Sequence, residues 1–311
     1  MEDVTVVVPV FNRRSLVLDA LNSIAKQTLQ PASVTIVDDG STDGTYDSVR
    51  NWIHQQRSSA TENTATFQLL KQTNENAATA RANGMAATKK TEYVSFLDSD
   101  DIWPADLIAR SVETMKQHPK AVAASTDRIF LDSDKREIQR DDCSQLAKSP
   151  LQWLFRHGAG VASCSMFRWD AVMKAGGWDT RYFFGEDTVL FSQICTQGEW
   201  VHVSGAPVTF RVGHPSELGE EGNLSRQFAD RFEHWAITHE QIYEKLASYV
   251  SGADKKCMRL QIGNFWYRAG KRHQSCAEYD PAAECFRKAL NWDRNFVRAR
   301  IRLLNVTTFS R

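Results

Sequence analysis

Short runs rich in β-branched residues alternate with stretches of helical periodicity over the first third of the chain. Residues 4–10, Val-Thr-Val-Val-Val-Pro-Val, have the character of a buried strand that runs into a loop at a proline. Residues 15–27 then place Leu16, Leu18, Leu21 and Ile24 at near-helical spacing until Pro31 interrupts. The pattern continues with a strand at 33–37, a helix ending at Ile53, a strand at 66–70, a helix over 77–88 and a fourth strand at 93–97. Residues 57–66, dominated by Ser, Thr, Asn and Ala, are expected as a mobile surface loop. Alternation of this kind builds a parallel sheet with crossover connections. Ligands of such sheets gather beyond the carboxyl ends of the strands, and two acidic clusters, Asp38-Asp39 and Asp98 to Asp101, fall on that edge.

Beyond Trp103-Pro104 the pattern predicts a helix to Gln117, a strand at 121–125 and a polar stretch at 132–148, expected to be a mobile acceptor loop. Glycines at 176, 177 and 185 punctuate turns before an apolar helix at 189–195. A strand-like run at 208–211 leads to a Gly-, Glu- and Pro-rich loop at 213–223, and from about residue 226 the chain has helical character. In that tail Trp266, Ala269, Gly270, His273, Ala282, Phe286 and Ala289 fall at the offsets of a tetratricopeptide helix pair, although Arg294 stands where the repeat has Pro. One repeat cannot bury both its faces, so it is expected to pack against the helices before it or to dock a protein partner. The expected organisation is an α/β domain over 1–250, with a first half to about 105 and a second over 106–225, followed by a small helical module over 251–311.

Composition narrows the function classes. A chain of 311 residues with 42% hydrophobic content can hold one large core and a smaller appendage. Lys and Arg number 38, as do Asp and Glu, so no global basic field draws the chain to nucleic acid. The six cysteines form no C-x-x-C pair and the eight histidines show no H-x-x-x-H or H-E-x-x-H spacing, which removes the common zinc signatures. The acidic start, Met1-Glu2-Asp3, lacks the basic flank of a signal peptide, and no segment approaches the roughly 20 apolar residues needed to span a bilayer. A cytoplasmic protein with reduced thiols is expected.

Asp98-Ser99-Asp100-Asp101 directly follows the fourth strand. Carboxylates one residue apart suit a hard cation such as Mg²⁺ or Mn²⁺ that shares its remaining positions with substrate phosphates. An acidic turn or a helix cap is the competing reading of the same residues.

Five segments in order resemble family 2 glycosyltransferases with the GT-A fold: Val8 to Asn12, Val37 to Asp43, Asn74 through Arg81 to Gly84, Phe96 to Asp101, and Gly185-Glu186-Asp187. The resemblance covers about residues 4–215. It implies a GT-A-type nucleotide-diphospho-sugar transferase fold, with a mostly parallel central sheet flanked by helices. It also implies metal-dependent, inverting transfer from a nucleoside diphosphate sugar, UDP foremost, to a glycan, lipid-linked or peptide acceptor in polysaccharide biosynthesis. Peripheral attachment at the inner membrane face would follow from a lipid-linked acceptor. On this resemblance Pro9 and Phe11 wall the base or ribose and Asn12 fixes their loop. Asp38 and Asp39 accept the base N–H, with helix capping as the alternative. Asp98 lies near ribose and metal, and Asp100 is a direct ligand of Mn²⁺ or Mg²⁺. Arg81 either approaches the diphosphate or pairs with a strand-end carboxylate. Asp187 is the expected base for the acceptor hydroxyl, with Glu186 raising its proton affinity and contacting the acceptor or holding the loop; capping of the helix that follows competes. Arg211 and His214 match the Arg-x-x-His element of some members, and Trp178 stands as a stacking floor for a sugar or as core. Asn76, Ala82, Val189 and Gln193 depart from the family pattern and bear on sugar and acceptor specificity. A non-catalytic scaffold that binds a sugar nucleotide or a protein partner is the rival reading.

Overall fold

The computed structural model of the chain describes residues 2–58, 65–158, 160–183, 185–212 and 231–309. The chain divides into two compact units, Met1–Pro150 with Ala159–Leu224, and Leu151–Gly158 with Ser225–Arg311. His214, the 213–223 loop, residues 226–230 and most of the expected 57–66 surface loop lie outside the described residues.

The first unit is α/β. Strands β1 (Glu2–Val10), β2 (Pro31–Asp38), β3 (Thr66–Lys71) and β4 (Tyr93–Phe96) alternate with helices α1 (Arg14–Ala25), α2 (Thr45–Ser58) and α3 (Ala77–Ala86). These strands pair in parallel in the order β3-β2-β1-β4. Val4, Val6, Val7 and Val8 of β1 have no exposed surface, as expected of a central parallel strand covered on both faces. Helix α1 ends at Ala25, before Pro31. Pro31 opens β2 opposite Glu2, where the first position of a strand tolerates a missing N–H. Helix α3 packs on β1 and β2 at Gly84, whose absent Cβ would come within 2.4 Å of Val7 Cγ1.

The second half extends the sheet with mixed polarity. After α4 (Leu107–Gln117) come β5 (Ala121–Leu131), β6 (Glu137–Asp141), α5 (Ser144–Lys148), β7 (Ser165–Arg168), α7 (Trp169–Lys174), α8 (Glu186–Ile194) and β8 (Glu199–Arg211); α6 (Pro150–His157) lies between α5 and β7. Strand β7 joins β4 to β5 with antiparallel pairing on both sides, while β8 runs parallel to β5. The polar stretch expected as a mobile loop is instead β6 and α5. Arg128, Ile129 and Phe130 pair with Asp141, Arg140 and Gln139 across an exposed edge, so these strand residues need no apolar pattern. For the same reason β5 runs six residues beyond the predicted Ser125.

The second unit is helical and takes in α6 from Leu151 on, together with α9 (Phe232–Leu246), α10 (Gly252–Ser275), α11 (Tyr279–Trp292) and α12 (Val297–Phe309). Ala236, Ile262, Trp266, Ala269, Ala282, Phe286 and Ala289 share its core. Helices α10 and α11 cross where Gly270 faces Phe286; a Cβ there would sit 2.6 Å from the ring. No helix among the described residues is long and apolar enough to cross a membrane.

Candidate active site

The carboxyl ends of β1, β2 and β4 share one edge, because Val10 pairs with Asp38 and Val7 with Phe96. Chain direction alone therefore brings Asn12, Asp38, Asp39 and Asp98 to adjoining loops. Asn12 holds a left-handed backbone (φ 49°), a conformation Asn tolerates better than most residues. Its N–H donates to Ser41 Oγ at 2.9 Å and its Oδ1 accepts the Thr42 N–H at 2.9 Å, which locks the first loop to the second. Pro9 is buried and Phe11 half-buried beside it.

Asp38 and Asp39 divide their work. Asp38 is fully buried; Oδ1 accepts the Ser41 N–H at 2.8 Å, while Oδ2 is buried without a partner. Asp39 accepts from Gln72 Nε2 at 2.8 Å and from the Glu75 N–H at 2.9 Å, so it braces the loop after β3. Burial pushes its carboxyl above the ordinary range despite those donors. Asp43, not Asp38, bonds the N–H of Thr45 at the start of α2.

Arg81 is the hub. It is 5% exposed, on the buried face of α3, and donates from Nη2 to Asp98 Oδ1 at 2.7 Å and from Nη1 to Glu186 Oε1 at 2.8 Å. Its guanidinium lies 4.6 Å from the ring centre of Trp178. Of the two expectations for Arg81, pairing with a strand-end carboxylate is the arrangement formed. Burial opposes its charge, but Asp98 and Glu186 more than offset this and hold it protonated. Trp178 is no open floor. It is 5% exposed and packs edge-on against Phe96 at 4.9 Å and Phe191 at 5.8 Å, under the guanidinium.

The Asp98–Asp101 loop is a tight turn, with the Asp101 N–H donating to Asp98 O. Ser163 Oγ accepts the Asp98 N–H at 3.0 Å, and Ser163 O accepts Trp103 Nε1 at 2.6 Å. Arg211, at the end of β8, donates to Asp100 O, to Leu16 O at 2.9 Å and to Asp19 at 2.7 Å, fastening the same turn to α1. Burial, and then the charge of Asp98, raise the proton affinity of Asp100; Asp101 is raised further, by burial and by both neighbours. Ser163 had no sequence signal, being one small residue in the 3-10 turn before β7.

Glu186 and Asp187 open α8 after Gly185. Glu186 is buried, and burial together with Asp187 pushes its carboxyl up to about 7 although Arg81 pulls the other way. Asp187 Oδ1 accepts the Thr188 N–H at 2.6 Å within the first turn of α8, and burial raises its proton affinity while Arg81 lowers it.

The acidic turn fits a hard cation. Asp98 has only Oδ1 committed to Arg81, and Asp100 suffers an anionic repulsion that a cation would relieve. Two carboxylates leave several positions for water and phosphate oxygens, the habit of Mg²⁺ and Mn²⁺. Among the described residues, the sets of three or more ligand-type side chains within 4.8 Å lie elsewhere, at Asp127, Asp142 and His202 and at Glu233, His273 and Cys285.

The sequence profile of glycosyl transferase family 2 matches residues 5–174, more than half of the chain and the span that contains this edge. The chain belongs to glycosyl transferase family 2. Among curated members, the putative teichuronic acid biosynthesis glycosyltransferase TuaG of Bacillus subtilis is 36% identical over 114 residues, 37% of this chain and 42% of TuaG. The UDP-Glc:alpha-D-GlcNAc-diphosphoundecaprenol beta-1,3-glucosyltransferase WfaP of Escherichia coli is 28% identical over 202 residues, 64% of this chain and 72% of WfaP. The chain thus spans less than half of TuaG. In fold, S. aureus TarS 1–349 in complex with UDP-GlcNAc superposes with a TM-score of 0.66 at 14% identity, covering 98% of this chain and 89% of TarS. The Pyrobaculum calidifontis mannosyltransferase PcManGT, in complex with GDP-Man and Mn²⁺, gives 0.55 at 17% identity, covering 97% and 87%. These two structures bear on architecture, and they agree with a GT-A sheet flanked by helices.

Proposed function

We propose that this family 2 chain transfers a sugar from a nucleoside diphosphate sugar to an acceptor hydroxyl, with inversion at the anomeric carbon. The observation that carries the reading is the joining, through Arg81, of the turn at Asp98 to the start of α8 at Glu186, so that two sets of acidic groups meet at one sheet edge. Asp38 Oδ2, buried and unpartnered, would accept the N–H of a uracil base, with Pro9 and Phe11 against the base or ribose and Asn12 and Asp39 holding the loops. Asp98 and Asp100 would hold Mn²⁺ or Mg²⁺, which when bound supplies a Lewis acid for the departing diphosphate. Asp187 takes the proton of the acceptor hydroxyl as its oxygen bonds to the anomeric carbon, and the bond to the diphosphate breaks on the opposite face. A carboxylate whose proton affinity burial has raised is suited to that transfer. Glu186, shared with Arg81, positions the base.

The names of the relatives support an acceptor in polysaccharide assembly: TuaG is named for teichuronic acid biosynthesis, and WfaP acts on a diphosphoundecaprenol-linked sugar. The helical unit supports a tetratricopeptide-like reading through its close crossing at Gly270 and Phe286.

Calorimetric titration with UDP, GDP and dTDP, each with and without Mn²⁺, tests the donor half. One nucleotide should bind only with metal, and Asp100→Asn should lose that binding. Asp187→Asn should keep it and lose transfer by about 10²–10⁴-fold. Absence of binding by any of the three nucleotides to folded protein would overturn the reading in favour of a non-catalytic scaffold.

A further inference from the structure

Three helices of the second unit bring together a carboxylate, an imidazole and a thiol. Glu233 lies in the first turn of α9, His273 in the last turn of α10 and Cys285 in the middle of α11. Their ligand atoms all lie within 4.8 Å of one another. Glu233 Oε1 meets His273 Nε2, and Cys285 Sγ donates to the same oxygen at 3.6 Å. On the far side of the ring, His273 Nδ1 meets Glu278 Oε2. Tetrahedral coordination by nitrogen, oxygen and sulfur at ordinary zinc distances places the ligand atoms ~3.5 Å apart, so small side-chain rotations would complete the geometry.

An ordinary ion pair accounts for part of this. A histidine between two carboxylates is satisfied as an imidazolium, and such pairs are common. It does not account for the thiol, which is 4% exposed and turned onto the same carboxylate oxygen. Nor does an ion pair need the division of labour around the ring. A carboxylate on Nδ1 leaves Nε2 directed at the other two donors, the arrangement by which proteins orient metal-ligating histidines. Lys288 is the cation that opposes a metal here, since its charge acts on both Glu233 and Cys285. Its ammonium is engaged elsewhere, with Glu284 at 3.1 Å and over the Trp266 ring at 4.3 Å.

We propose that Glu233, His273 and Cys285 form a binding site for a borderline transition-metal ion such as Zn²⁺, with Glu278 as the carboxylate that orients the imidazole. The fourth position takes water. Binding forms metal–oxygen, metal–nitrogen and metal–sulfur bonds and releases two protons, one from the imidazolium Nε2 and one from the thiol, so it weakens as pH falls. The ion clips the first turn of α9 to the α10–α11 hairpin. The site is independent of the sheet edge and of the sugar-transfer reading, and its donor set of soft thiolate and imidazole differs from the all-oxygen set at Asp98 and Asp100.

The test is titration of the full chain, stripped of metal by a chelator, with Co²⁺ as a spectroscopic stand-in for Zn²⁺. One equivalent should give a thiolate-to-cobalt charge-transfer absorption that Zn²⁺ displaces. Cys285→Ser should abolish that absorption, and Cys276→Ser, at an exposed thiol outside the set, should leave it intact. Glu278→Gln retains all three donors, so it reports on the site even if Cys285→Ser folds poorly. It should weaken binding about 10–100-fold. No charge-transfer absorption in the parent protein, its survival in Cys285→Ser, or undiminished affinity in Glu278→Gln would overturn the proposal. Cobalt bound without thiolate absorption would do the same, and would point to a thiolate-free set, Asp98 with Asp100 or Asp127 with Asp142 and His202.

Discussion

Replacing Glu186 by Gln should make the protein more stable at alkaline pH, even though it removes one partner of a buried ion pair. Burial and the charge of Asp187 outweigh the pull of Arg81 and raise the Glu186 carboxyl from 4.5 to about 7. A carboxyl whose folded value is raised costs nothing below its unfolded value, where it is protonated in both states. It destabilises progressively as pH climbs from 4.5 to 7, and the penalty is constant above that window. At 1.36 kcal/mol per pKa unit, the penalty is ~1 kcal/mol at about pH 5.5 and ~3 kcal/mol at about pH 8.5. Glutamine mimics the neutral carboxyl and still offers an oxygen to Arg81 Nη1, so it escapes the penalty. Urea unfolding of both proteins at the two pH values measures the difference. The variant's advantage should grow by ~2 kcal/mol between them. A variant less stable at pH 8.5, or a difference that does not change with pH, would refute the reasoning. Either result would mean that the pair with Arg81 is net stabilising and the carboxyl is ionised well below 7.

Two packing predictions test the frame around the site. Gly84→Ala should cost about 1–3 kcal/mol in urea unfolding, because the new methyl would meet Val7 in a central strand that cannot move. An unchanged midpoint would mean that α3 lifts off the sheet without cost, and with it Arg81. Phe286→Ala should cost about 3–5 kcal/mol, seen as loss of helical circular dichroism at lower urea, because its fully buried ring fills the crossing opposite Gly270.

Strands β1 and β2 were legible because a parallel sheet buries both faces of its inner strands and writes that burial as runs rich in β-branched residues, and β3, β4 and the three helices followed from the alternation. The edge that collects Asp38 and Asp98 follows from chain direction alone. Strand β6 was not legible, since an exposed edge strand with the sequence Glu-Ile-Gln-Arg-Asp carries no apolar period. The sugar-floor reading of Trp178 failed for a related reason. Glycines beside an aromatic mark a turn but not which side of the ring is solvent, and here Phe96 and Phe191 occupy the ring's edges. Ser163 and Gln72 act through hydrogen bonds to residues 65 and 33 positions away, which no local pattern encodes.

Arg81 is the case in which both sequence expectations meet in one side chain. A single guanidinium, 5% exposed, serves Asp98 from the turn after β4 and Glu186 from the start of α8, residues separated by 88 positions in sequence. The bond to Glu186 is buried, whereas the Asp98 side chain is 36% exposed and its bond is partly open to water. Desolvation of the charges costs several kcal/mol, and only good geometry to both partners repays it. The arrangement is therefore poorly explained by stability, as the raised carboxyl of Glu186 already indicates. What it provides is coupling. Any change of charge at Asp98 alters how strongly Arg81 favours the ionised form of Glu186, whose proton affinity is raised by burial and then by the charge of Asp187, and Arg81 and Asp98 act on Asp187 directly as well. On the proposed assignment, that links the state of the donor-side carboxylates to the proton affinity beside the base. Arg81→Lys would keep the charge but lose the fork that reaches both carboxylates at once, so it separates the effect of charge from the effect of connection.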